Sequence, residues 1–157
     1  MSLSPEGIKA VLAQHTDEVF LNCLRISHPN LTDDIRLVCS KRNLTHAGKE
    51  YIAYAFTVRL PNDSEEGVAQ FAVELDNTDR RIVEAARSMA GGQPATAVFF
   101  AVLASDPESV EVGPYEATMR EISYDFQKVT AACNFEDHLN QAYPAHSFTP
   151  NRFPGLF

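Results

Sequence analysis

The stretch ATAVFFAVLAS, residues 95–105, is the part of the sequence that most constrains the fold. In an extended chain its side chains point alternately to opposite faces, and both of these faces are apolar. Phe99 lies on one face and Phe100 on the other. A strand that is apolar on both faces lies under a helix, inside a sandwich or in a subunit contact. The stretch therefore predicts a strand covered on both faces, with Phe99 and Phe100 as candidate interface residues.

Alternating apolar residues predict further strands on either side of this stretch. The strongest pattern is YIAYAFTVRLP, residues 51–61, where apolar side chains recur at every second position from Ile52 to Leu60. The polar segment KRNLTHAGK, residues 41–49, is predicted to be a turn, and residues 125–128 are predicted to be the turn of a hairpin. The predicted strands lie at residues 19–27, 33–40, 51–61, 68–75, 95–105, 115–126 and 128–137.

The N-terminal segment predicts a short amphipathic helix. Ser4 is a hydroxyl N-cap, and it is followed by a proline and an acidic residue, which favour the first turn of a helix. Ile8, Val11 and Leu12 then fall on one face of a helix that ends near His15. We expect this apolar face to cover one side of the sheet.

A second helix is predicted between strands, in the segment DNTDRRIVEAARSMAGG, residues 76–92. Asn77 or Thr78 provides the N-cap, and the glycine pair at residues 91–92 ends the helix. The strands recur every ten to fifteen residues without the alternation of strand and helix that is typical of a parallel sheet. The pattern therefore predicts a mainly β fold, an antiparallel sandwich or partly open barrel with two helices, or α+β by element count.

The chain length and the composition predict one β-rich domain, residues 1–147, followed by an extended arm, residues 148–157. Chain ends are usually polar and frayed, but this arm is rich in proline and in large apolar side chains. It either folds over its own domain or inserts into another protein. The candidate interface residues of the arm are Phe148, Phe153, Pro154, Leu156 and Phe157.

The charge and the cysteine content exclude several classes of partner. The formal net charge is −8, and no segment concentrates the basic residues, so neither nucleic acid nor an anionic membrane surface is an expected partner. The three cysteines have no metal-binding spacing, which is typical of free thiols in a reducing cytoplasm. A disulfide between Cys23 and Cys39 remains a minor alternative. The N-terminus has no pattern of a signal peptide.

No motif in the sequence predicts catalysis. The five histidines are scattered singly, and there is no nucleophile motif, phosphate-binding glycine loop or dinucleotide fingerprint. Asp76, Asn77 and Asp79 offer oxygen ligands at a spacing that calcium accepts, but a helix N-cap requires the same residue types. We therefore expect no enzyme activity, no cofactor and no metal.

Two blocks of the sequence are specific in combination: D-N-x-D-R-x-I-V-E-A, at residues 76–85, and F-T-P-x-x-F-P-G-L-F, at residues 148–157. The segments that contain them, together with four further segments, resemble a family of tailed-bacteriophage proteins that is classed as a domain of unknown function. Ala55 departs from the family pattern, in which proline is common at that position. The similar segments are SHP at 27–29, YIAYAF at 51–56, residues 74–88, VLAS at 102–105, residues 110–125 and residues 135–157.

The resemblance implies a structural component of a phage tail tip, because members are encoded between the tape-measure protein and a cell-wall peptidase. It implies a homo-oligomeric ring or adaptor, similar in role to distal tail and hub proteins, that contacts other tail proteins. The expected location is the virion tail, after assembly in the cytoplasm of the infected bacterium. On this expectation the arm docks on the neighbouring subunit or on the next tail protein.

Two other function classes remain open. A small-molecule or carbohydrate-binding β-barrel would use exposed aromatic side chains such as Tyr51, Tyr115 or Tyr143 to stack on a ligand. A metal-dependent enzyme or a hydrolase accessory protein would require a bound metal.

Overall fold

The computed structural model describes residues 3–59, 70–76, 84, 87 and 94–135. These residues are mainly in β-strands, as the sequence predicts. The elements are α1 (Pro5–Leu12), β1 (Phe20–Ser27), β2 (Ile35–Val38), β3 (Leu44–His46), β4 (Lys49–Ala53), β5 (Phe56–Arg59), β6 (Gln70–Asp76), β7 (Ala95–Leu103), β8 (Val110–Tyr124) and β9 (Lys128–Asn134).

All nine strands belong to one sheet, in the order β3-β4-β2-β1-β7-β8-β9-β6-β5. Every neighbouring pair is antiparallel except β2 and β4, which run parallel, so the sheet is mixed and not purely antiparallel. The parallel pair arises because residues 39–48 carry the chain away from β2 and back through β3 before β4 begins.

The sheet curls into a barrel-like shape but does not close. Leu37 of β2, the third strand from one end of the order, and Phe56 of β5, the strand at the other end, belong to one buried cluster. The ends meet at the link between β4 and β5, where Tyr54 N donates to the Val38 carbonyl and Asp76 N donates to the Ala55 carbonyl. In the described part of the chain no ladder joins β5 to β2 or β3, so the closure is limited to this link.

Strand β7 lies at the centre of the sheet, between β1 and β8, and both of its faces are buried as predicted. On the inner face, Phe99 belongs to the main core. On the outer face, Phe100 belongs to a second cluster with Tyr51 of β4 and Val38 of β2. The β3–β4 hairpin covers this outer cluster, so the second cover of β7 is a hairpin.

The prediction of one continuous strand over residues 51–61 is wrong, because the chain breaks at residues 54–55 into β4 and β5. The break changes which side chains are buried: Tyr51 is buried and Ile52 exposed in β4, whereas Phe56 is buried in β5. The prediction that residues 41–49 form only a turn is also wrong, because they include β3. Alternation alone could not locate these changes, since the break is set by the two ends of the sheet that meet there.

Helix α1 begins as predicted, because the Ser4 side chain accepts a hydrogen bond from Gly7 N. The predicted contact face is wrong: α1 buries Gly7 and Ala10, whereas Leu12 is 79% exposed. The buried carboxylate of Glu111 on β8 explains this orientation, because its Oε2 accepts a hydrogen bond from Ser4 N at 2.9 Å. A Cβ atom on Gly7 would lie 2.5 Å from this oxygen, so a larger residue at this position would require the Glu111 carboxylate to move.

The described residues contain one fully delimited helix, α1, and not the two that the sequence predicts. The second predicted helix lies mostly outside the described residues, although Glu84 and Arg87 are both helical. The guanidinium of Arg87 lies 5.5 Å from the ring centre of Tyr124, which connects this segment to β8. The arm and the predicted domain boundary before residue 148 also lie outside the described residues.

Candidate functional surfaces and groove

Helix α1 presents an exposed apolar surface, which we call the helix patch and define as Ile8, Val11 and Leu12. These side chains are 44%, 59% and 79% exposed. They are three and four positions apart, so they share one face of the helix. The helix is fixed at its N-terminus by Glu111, so the patch points away from the body of the protein on a positioned element.

A second exposed apolar surface lies at the end of the β8–β9 hairpin. We call it the hairpin tip and define it as Tyr124 and Phe126, which are 47% and 84% exposed. Asp125 orders the turn, because its Oδ1 accepts hydrogen bonds from Gln127 N and Lys128 N, both at 2.7 Å. These hydrogen bonds hold the pKa of the Asp125 carboxyl below its usual range. The turn therefore holds a large aromatic side chain in solvent on a well-defined loop.

A groove of about 520 Å³ lies on the outer face of the sheet, beneath the β3–β4 hairpin. The hairpin is fastened to the loop between β7 and β8 at two points. His46 Nδ1 donates to the Pro107 carbonyl at 2.6 Å, and Ala47 N donates to Glu108 Oε2 at 2.9 Å. These contacts hold one wall of the groove in place.

Charged side chains of both signs line the groove. Arg25, Arg36 and Lys49 are the cations, and Asp34 and Glu116 are the carboxylates. Arg36 forms an ion pair with Asp34, in which a guanidinium nitrogen lies 3.1 Å from the carboxylate oxygen Oδ2. Among the described residues Arg25 and Lys49 form no ion pair. The groove therefore keeps two cations available to a ligand.

Aromatic side chains line the deep part of the groove. The centre of the Phe100 ring lies 4.8 Å from the centre of the His46 ring and 5.7 Å from the centre of the Tyr51 ring. Burial raises the pKa of the Tyr51 hydroxyl, and the positive charges of Arg25 and Arg36 oppose this rise. Both guanidinium groups therefore act electrostatically on the same hydroxyl of the groove.

The structure buries two residues that the sequence suggests as interface residues. Phe99 is 5% and Phe100 is 4% exposed, and the clusters in which they lie belong to the same chain. Tyr51, suggested as an exposed stacking residue, is buried at 4% exposure, whereas Tyr115 is 39% exposed and stacks on Phe99. Tyr143 lies outside the described residues, as do the five interface candidates of the arm.

Sequence reasoning missed the helix patch as a surface, the hairpin tip and the groove. The only available signal for the helix patch was the pair of small residues Gly7 and Ala10 on the opposite face of the helix. The groove has no signal in a linear sequence, since Arg25 and Arg36 become neighbours only through strand pairing.

The described residues were compared with the patterns of metal sites, disulfides and membrane spans. The described residues contain no group of three or more His, Cys, Asp or Glu side chains arranged to hold a metal ion. Cys23, Cys39 and Cys133 are free thiols. Of the helical residues that the structure describes, none belongs to a segment with the length and the apolar character of a membrane span.

No curated protein matches this sequence. The model of one protein family, DUF1833, a domain of unknown function, matches residues 8–148. This range covers most of the chain, from within α1 through every described strand. The chain therefore belongs to the DUF1833 family.

Proposed function

We propose that the protein is a structural component of a bacteriophage tail tip, where it forms a ring or an adaptor between the tail tube and the distal tip. The observation that carries the proposal is the presence of two exposed apolar surfaces on different elements, the helix patch and the hairpin tip. The resemblance of residues 76–85 and 148–157 to phage tail-tip proteins supports the choice of a tail tip as the assembly.

A ring of identical subunits requires a heterologous contact, in which one surface of a subunit binds a different surface of the next. The helix patch and the hairpin tip provide two such surfaces on one chain. Burial of a large apolar side chain contributes about 1.5–3 kcal/mol. The proposed contact places Leu12 of one copy against Phe126 of the next, and these are the two most exposed of the large hydrophobic side chains described.

The arm adds a second contact in this proposal. A proline-rich extended segment loses little conformational entropy when it docks, so its apolar side chains contribute more of their burial energy to binding. We place Phe148, Phe153, Pro154, Leu156 and Phe157 against the neighbouring subunit or the next tail protein. No catalytic activity and no cofactor form part of the proposal, and the location is the virion tail after assembly in the cytoplasm of the infected bacterium.

Light scattering coupled to size exclusion tests the role of the arm. The expected result is a discrete trimer or hexamer for the full chain and a folded monomer after deletion of residues 149–157. Circular dichroism checks that the truncated chain is folded. An unfolded truncated chain would assign the arm to its own domain, and a truncated chain that still forms the same oligomer would remove the arm from the assembly contact.

A further inference from the structure

Two arginines on neighbouring strands, Arg25 and Arg36, both line the groove, and only Arg36 has an ion-pair partner among the described residues. Arg25 on β1 and Arg36 on β2 are direct partners in the antiparallel register. Like charges at directly opposed positions destabilise a sheet. Asp34 neutralises Arg36 at 3.1 Å, whereas Arg25 is exposed and has no ion-pair partner among the described residues.

Two successive strand pairings lead from Arg25 to a carboxylate on β8. Arg25 is paired with Val98 of β7, and Val98 is paired with Glu116 of β8. Lys49 enters the groove from the β3–β4 hairpin. The groove thus contains three of the 13 Lys and Arg residues of a chain whose net charge is −8.

We propose that this groove binds an acidic saccharide, a polyhydroxylated ligand that carries one negative charge on a carboxylate or a phosphodiester. Guanidinium groups bind such oxyanions through paired N–H donors, and Arg25 is the group free to do so. Three cations against two carboxylates leave one net positive charge, which matches a monoanion. The exposed carboxylate of Glu116 accepts hydrogen bonds from sugar hydroxyls.

The walls of the groove are held in place before a ligand arrives. The hydrogen bond from His46 Nδ1 to the Pro107 carbonyl fixes the orientation of the imidazole ring in the wall of the groove. Glu108 fastens the turn of the hairpin through Ala47 N. The volume of about 520 Å³ lies within the usual range of small-ligand sites. A fixed groove loses less entropy on binding than a mobile one.

Isothermal titration calorimetry with three probes tests the proposal: D-glucuronate, the phosphodiester glycerophosphoglycerol, and neutral D-glucose. We expect at least one of the two anions to bind on the order of tenfold more tightly than glucose. The anion that binds more tightly identifies the oxyanion as a carboxylate or a phosphodiester. If neither anion binds more tightly than glucose, the proposal is overturned.

Variants locate the binding in the groove. Arg25→Ala is expected to weaken binding of the preferred anion on the order of tenfold, and Arg25→Lys to recover part of it, because lysine keeps the charge but lacks the planar fork. Arg42→Ala is the matched control, since Arg42 is an exposed arginine that does not line the groove. Unchanged binding in Arg25→Ala, or an equal loss in Arg42→Ala, would contradict the site. The groove is formed within one chain, so its binding can be measured whatever the oligomeric state, and the result is independent of the assembly proposal.

Discussion

At the scale of single residues, Ala47 is strained in the turn of the β3–β4 hairpin. Its φ is 49° and that of Gly48 is 69°, which is the left-handed pair that a two-residue hairpin turn requires. This region costs a residue with a Cβ atom about 1–2 kcal/mol, whereas asparagine tolerates it. Ala47→Asn is therefore expected to raise the free energy of unfolding by about 1 kcal/mol in urea denaturation.

Gly48→Ala in the same turn is the control for Ala47→Asn, because it is expected to lower the free energy of unfolding instead of raising it. No atom lies within 4 Å of the position that its Cβ would occupy, so backbone strain is the only cost of the substitution. The expected loss is about 1 kcal/mol. If both variants have the stability of the wild type, the turn does not have this conformation in solution.

The three cysteines differ in burial, and this difference predicts their reactivity. Burial raises the pKa of both the Cys23 and the Cys133 thiols to about 12, whereas Cys39 is exposed. Since the thiolate is the reactive form, a thiol reagent at pH 8 is expected to label Cys39 rapidly in the folded protein and all three thiols after denaturation. Intact mass spectrometry with peptide mapping measures the sites. Rapid labelling of Cys23 or Cys133 in the folded protein would contradict the described core.

The same two thiols make stability depend on pH in the alkaline range. Their pKa in the folded protein, about 12, is above the ordinary value of 9.0. The unfolded chain therefore releases these protons first as the pH rises. The stabilising effect of the neutral buried thiols is complete below about pH 9 and is lost progressively as the pH rises toward 12.

At the scale of elements, the position of α1 depends on one carboxylate. Glu111 is 6% exposed and accepts the hydrogen bond from Ser4 N at 2.9 Å. Glu111→Ala removes this acceptor beside the N-terminus of the helix. We expect amide exchange in residues 8–13 to accelerate at least tenfold, with a loss of about 1–3 kcal/mol in stability.

Glu116→Ala is the matched control for α1, because Glu116 is an exposed glutamate on the same strand. Hydrogen exchange followed by mass spectrometry should show unchanged protection of α1 in this variant. Equal protection of α1 in Glu111→Ala and in the wild type would mean that Gly7 and Ala10 alone hold the helix.

The periodicity of apolar residues predicted the position of most strands and of α1, but not the contacts between these elements. The two-sided apolar pattern of residues 95–105 correctly predicts the central strand β7, and the turn residues correctly predict the β8–β9 hairpin. Periodicity misplaced the contact face of α1, because an apolar face at 3.6-residue spacing indicates amphipathicity but not what the face contacts. The buried Glu111 determined the orientation, and no linear pattern pairs it with Ser4. The groove was unpredictable for the same reason, since it is assembled by strand register.

At the scale of the whole molecule, the proposed ring depends on binding of the helix patch of one copy to the hairpin tip of the next. Leu12→Asp disables only the first surface, and Phe126→Asp disables only the second. Each variant alone is therefore expected to be monomeric. An equimolar mixture still contains one intact copy of each surface, so it should form a dimer and nothing larger.

Ile52→Asp is the control for the added charge, because Ile52 is 43% exposed and belongs to neither surface. It should have the same mass in solution as the wild type. Introducing a charge at an exposed position far from an interface usually changes stability by less than about 0.5 kcal/mol.

Light scattering measures the mass in solution of the wild type, of each variant, and of the Leu12→Asp and Phe126→Asp mixture, and so tests this contact directly. We predict a discrete oligomer larger than a dimer for the wild type, monomers for the two variants, and a dimer for the mixture. A monomeric wild type, variants with the wild-type mass, or a mixture that stays monomeric would contradict it.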